Sequence, residues 1–136
     1  MAVGQLSDGI AQLQQASPHL LPPPLITAAG TTQGGATALP TTSNVARIAA
    51  SASTAGVILP AMLTWLALNG GAGSPYIVIP PPTVGVKVYP ASGEGLNAAA
   101  TNTAIVAASA KPATFWPVGN AVGSSTAYRW AMQKGG

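Results

Sequence analysis

The chain has very little charge. Of its 136 residues only 5% are Asp, Glu, Lys or Arg, where about 25% is ordinary for a globular domain. The basic residues are Arg47, Lys87, Lys111, Arg129 and Lys134, set against Asp8 and Glu94. A soluble monomer normally keeps a charged, patch-free surface. This chain has no means to build one. Its exterior is made of Ser, Thr, Asn, Gly, Pro and Ala, or other subunits cover it, and the deficit predicts obligate assembly. The net charge of +3 comes from scattered side chains with no basic run. That pattern lacks the clustered footprint of a nucleic-acid binder.

Other absences narrow the chemistry. Cysteine is missing altogether, which excludes disulfide staples and thiolate metal sites. The one histidine, His19, stands among prolines, and Asp8 and Glu94 are the only side-chain carboxylates. These are too few for a metal centre, and nothing in the sequence places them together as a triad or a carboxylate pair. The glycine stretches "GEG" and "NGGAG" lack the strand, helix and Lys-Ser/Thr context of a phosphate cradle. No enzyme activity, cofactor or metal is expected. A long hydrophobic run is also missing. "GVILPAMLTWLAL", Gly56 to Leu68, is interrupted by Pro60 and falls short of the roughly 20 residues a spanning helix needs. The opening "MAVGQLSDGIAQLQQ" has no basic region ahead of an apolar core and does not read as a secretory signal. No membrane partner is expected.

What is present begins with an arm, residues 1–30. "LSDGIAQLQQA" predicts a short helix, with Ser7 or Asp8 as N-cap and Ile10, Leu13 and Ala16 at helical spacing. At about three turns it is marginal without packing. Pro18, Pro22, Pro23 and Pro24 then force extended backbone. On that ribbon Leu20, Leu21, Leu25 and Ile26 have no apolar partner in their own segment, so the arm is expected to act as a strap lying on something else.

Residues 31–136 read as one β-rich domain. "TTQGGATALPTTSN" is turn and edge-strand material. "NVARIAAS" alternates, with Val45 and Arg47 on one face and Ala46 and Ile48 on the other. Strands follow at "TAGVILP", at Tyr76 to Ile79 and at Val84 to Tyr89, with one helical turn in "AMLTWLALNGGAGS". In "GVKVYPASGEGLN", Val86 and Val88 point one way and Lys87 and Tyr89 the other, before Pro90 stops the strand. Further strands are read at "TAIVAA", "ATFWPV" and "TAYRWAM". In the last, Tyr128, Trp130 and Met132 share a face, opposite Arg129. Short strands at roughly ten-residue spacing, divided by Gly, Pro, Asn and Ser turns, predict an all-β barrel or sandwich-like domain. Phe115, Trp116, Tyr128 and Trp130 are expected to pack in the core or at subunit contacts. The alternative is a stacking platform for sugar or bases.

The order "TTQGGATAL…NVARIAASASTAGVILP…VGVKVYPASGEGLN…NTAIVAASAKPATFWPVGN…YRW" resembles small virion proteins of tailed bacteriophages, the head decoration (cement) or short head-fibre proteins. The resemblance runs from about Thr31 to Trp130 and is most specific in "VYPASGEGLN". The stretch "MLTWLALNGGAGSPYIVIPPPT" departs from the plainer strand-turn-strand pattern. The resemblance implies a β-rich homotrimer on the outer surface of a capsid, with the major capsid protein as partner. Val86, Val88, Phe115, Trp116, Tyr128, Trp130 and Met132 would then serve the core or the trimer interface. Leu20, Leu21, Leu25 and Ile26 would strap the subunit to the capsid or to a neighbour. The alternative is a head- or tail-fibre module that binds host-surface carbohydrate.

Overall fold

A computed structural model describes residues 23–68, 73–120 and 128–134. The described chain is mostly β, in two mixed sheets of short strands. The strands are β1 (Leu25–Thr27), β2 (Thr37–Ala38), β3 (Val45–Ala49), β4 (Gly56–Ile58), β5 (Tyr76–Ile79), β6 (Val86–Tyr89), β7 (Gly95–Leu96), β8 (Ile105–Ala107), β9 (Ala113–Asn120) and β10 (Tyr128–Lys134). One short helix, α1 (Met62–Leu68), stands between β4 and β5.

The chain changes sheet with nearly every strand. β1, β3, β5, β9, β10 and β7 form a six-stranded sheet in that order, and β2, β4, β6 and β8 form a four-stranded one. β1, β3 and β5 pair in parallel, as do β2, β4 and β6. From β1 to β6 the path is therefore a coil, each turn giving one strand to each sheet. Prolines explain why the strands are short: Pro60, Pro80 and Pro90 follow β4, β5 and β6 closely, and proline cannot donate to a ladder.

Alternation decides what is buried. Ala46 and Ile48 on β3, Tyr76 and Val78 on β5, Val86 and Val88 on β6, and Ala113 and Phe115 on β9 all turn inward. The two sheets thus supply a single core. Into it α1 inserts Met62 and Trp65, which fall on one helical face. The Trp65 ring lies 5.1 Å from Tyr76 and 6.4 Å from Trp130, both on the six-stranded sheet. Its indole N–H donates to the Ser74 carbonyl at 2.8 Å. A helix of two turns has little stability of its own, so this burial holds it in place. The sequence predicted one helical turn here; the packing of Trp65 sustains a second.

Two expectations are corrected. The segment read as an arm to Gly30 is already sheet from Leu25. Ile26 sits opposite Ile48 and packs against the core, and the Arg47 N–H donates to the Pro24 carbonyl at 2.9 Å. The prolines end just before β1, which leaves these residues free to pair. Tyr89, expected on an open face with Lys87, is buried. Its hydroxyl donates to the Thr31 carbonyl at 3.1 Å. A Cβ at Gly56 would stand 2.7 Å from the Tyr89 ring, so glycine there lets the ring approach the β4 backbone. Among the described residues no helix is long and apolar enough to cross a membrane.

Candidate assembly interface

The inner chemistry centres on Glu94, a buried carboxylate in the turn between β6 and β7. Both of its oxygens accept from the Met62 N–H, at 2.9 and 3.2 Å. The carboxylate satisfies the N–H of the first helical residue, one of those the helix leaves without an internal partner, at the positive end of α1. Burial pushes the Glu94 carboxyl above the ordinary carboxylate range, opposed by the Met62 N–H and by the indole of Trp130. That indole N–H faces Glu94 without a hydrogen bond of ordinary geometry. No ion pair to Glu94 is found among the described residues, and no group of three or more His, Cys, Asp or Glu that could hold a metal ion. Glu94 thus ties α1 to the β6–β7 turn. Asp8 and His19 lie outside the described residues.

The outer face of the six-stranded sheet has a different character. On β9, Phe115 is fully buried while Trp116 and Val118 are 42% and 55% exposed. Leu25 on β1 is 60% exposed. Registers connect these positions. Leu25 stands opposite Arg47, and Arg47 opposite Ile79. Val45 stands opposite Ile77, and Ile77 opposite Thr114. Trp116 stands opposite Ala131 on β10. Leu25, Val45, Ile77, Ile79, Trp116 and Val118 therefore line a mainly aliphatic outer face. Arg47 is the charged side chain in its middle. Its Nε–H donates to the Pro23 carbonyl at 3.2 Å.

The residues singled out from sequence separate as follows. Val86, Val88, Phe115 and Trp130 are buried, and Tyr128 and Met132 pack partly buried against the same core. Trp116 lies outside the core, because strand alternation turns it away from Phe115. Ile26 is half-buried and Leu25 exposed, while Leu20 and Leu21 lie outside the described residues. Sequence reasoning missed Glu94 as a buried group and Trp65 as a core anchor. The period of "MLTWLAL", with Met62 and Trp65 three apart, carried a signal for the second. No family model, curated protein or solved structure matches this chain.

Proposed function

We propose that this chain is a structural virion protein that binds the outside of a phage capsid lattice and stabilises or decorates it. In this reading it works as a homotrimer of β-sandwich-like subunits, with the major capsid protein and its own sister copies as partners. One observation carries the reading: an outward apolar sheet face on a chain with almost no charge. Burying Leu25, Trp116 and Val118 would each contribute on the order of 1.5–3 kcal/mol before ordering costs. Few charges oppose such contact, since Arg47 already has a carbonyl partner. The resemblance in "VYPASGEGLN" supports the same reading.

A carbohydrate-binding fibre module would call for several aromatics gathered on an outer surface. Trp65, Tyr76, Phe115 and Trp130 are buried, and the neighbours of Trp116 on the outer face are mainly aliphatic. Imaging of purified particles tests the proposal. The expected result is many copies spread over the head lattice. A handful of copies at a vertex or on the tail would overturn it in favour of the fibre reading. Sedimentation of the free protein should show a trimer, and a stable monodisperse monomer would count against that part.

A further inference from the structure

The two sheets end in four edge strands, β1 and β7 on one and β2 and β8 on the other. The chain itself blunts three of them. β1 follows Pro23 and Pro24, which have no N–H to offer, and its Thr27 carbonyl accepts from the Thr37 hydroxyl at 2.7 Å. β7 is covered by the turn after it. The Leu96 carbonyl accepts from the Ala99 N–H at 3.0 Å, and the Glu94 carbonyl from the Asn102 N–H at 2.9 Å. β2 is two residues long, and Pro40 follows closely.

β8 has none of these devices. The Lys87 N–H donates to the Ala55 carbonyl, just ahead of β4, at 3.1 Å. Lys87 therefore turns its backbone toward β4. Val86 and Val88 turn theirs toward β8, where they stand opposite Ala107 and Ile105. Val106, between those two, directs its N–H and C=O out of the sheet, and no described residue bonds to them. Its side chain is 50% exposed. Residues 103–110 carry no charge and no proline, the features that usually guard an edge.

We infer that β8 pairs antiparallel with β8 of a second copy, about a twofold axis through Val106. Such an axis sets a strand against its own image, so the strand fits only where no charge meets a like charge. Here Val106 meets Val106, Ile105 meets Ala107 and Ala104 meets Ala108, all uncharged. The two Val106 residues exchange both backbone hydrogen bonds, and their side chains cover each other on the outer face of the four-stranded sheet. Lys87, opposite Val106 on β6, offers no obstacle. Three strand spacings of about 4.8 Å separate the Lys87 positions of the two copies, beyond the screening length of about 8 Å. The result is one continuous sheet, from β2 of one copy to β2 of the other. An edge this short buries far less than the roughly 800 Å² per partner of a stable interface, so the contact is weak in dilute solution and forms where copies are concentrated. It joins two copies whether each is single or already in a trimer, and it does not rest on the capsid reading.

Since the chain has no cysteine, Val106→Cys tests the axis directly. The Cα atoms of a hydrogen-bonded antiparallel pair lie about 5.5 Å apart, within reach of dibromobimane, a short fluorogenic bridge between thiols. At millimolar protein, Val106→Cys should be bridged into covalent dimers about tenfold or more faster than Lys111→Cys, an exposed position off the axis, because pairing holds its thiols together before reaction. Equal rates, or no bridging, would overturn the inference. Val106→Pro removes the outward N–H and leaves the β6 ladder its bonds, and a thermal melt checks its fold. By light scattering, the mean mass of the wild-type chain should rise with concentration more steeply than that of this variant. Coincident curves overturn the inference too. Where Val106→Pro fails to fold, the cysteine comparison decides alone.

Discussion

Phe115 and Trp116 are neighbours on one strand and have opposite fates. Phe115 is sealed in the core beside Tyr76 and Met132, its partners across β5 and β10. Trp116 stands 42% exposed on the far face of the same sheet. Tyr89 shows a third outcome, turned away from the inward Val86 and Val88 yet covered by the segment around Thr31. Residue type alone does not separate these three aromatics. The strand sets which face each one takes, and the loops set whether that face is closed. The inner face holds the fold together; the described residues leave the outer face of the six-stranded sheet uncovered.

The sharpest way to break this contrast is Trp130→Ala. Trp130 is fully buried against Trp65, and removing such a ring typically costs about 3–5 kcal/mol. That is a large share of a total stability of about 5–15 kcal/mol. A thermal melt should fall steeply, and a melt like wild type would remove Trp130 from the core. Next is Gly56→Ala, whose new Cβ would press on the Tyr89 ring at 2.7 Å and the Lys87 carbonyl at 3.3 Å. Overpacking of this kind costs about 1–3 kcal/mol. Chemical denaturation should show the loss, and Tyr89→Leu in the same chain should relieve part of it.

Glu94 gives a smaller effect with a defined sign. Its carboxyl is held above the ordinary range in the folded chain, so the folded state binds the proton more tightly than the unfolded state. This contribution is fully present below the unfolded value, about 4.3, and is lost as pH rises through the folded one. The wild-type melting temperature should therefore climb as pH is lowered from neutral toward that value, and Glu94→Gln should flatten the slope. An unchanged slope would mean that Glu94 does not set it. The smallest effect on stability belongs to Trp116→Ser, expected within about 1 kcal/mol of wild type as a surface change. If the proposed capsid attachment runs through this face, its cost should appear in binding to the particle instead. A large drop in the melt would place Trp116 on the wrong side of the comparison.

Period-two alternation made most strands legible. The inward pairs of β3 and β6 and the bounds of β5 stand in "NVARIAAS", "GVKVYP" and "PYIVIP". The pairing partners were not legible, because β1, β3 and β5 meet in parallel across long intervening segments and no turn motif marks that. β1 was hidden by the prolines that precede it, and β7 is too short to carry a pattern. For the interface, the outward position of Trp116 follows from the position of Phe115. Its exposure does not, since that depends on which loops pass over the face. The burial of Glu94 was equally out of reach, because it depends on where α1 begins in space.

The coil path of the chain also sets an order of events in folding. Among the described strands only β9 and β10 are both consecutive in sequence and paired. Every other pair must close a loop that contains at least one further strand. Such non-local pairings are slow, because the entropy of closure is lost before contacts compensate for it. The β9–β10 hairpin, near the C-terminal end, is the natural nucleus, and β5, β3 and β1 add to it outward in reverse order of synthesis. Pulse-labelled hydrogen exchange during refolding should find the amides of β9 and β10 protected first and those of β1 last. A nascent chain would then hold its earliest strands unpaired until β9 and β10 had emerged.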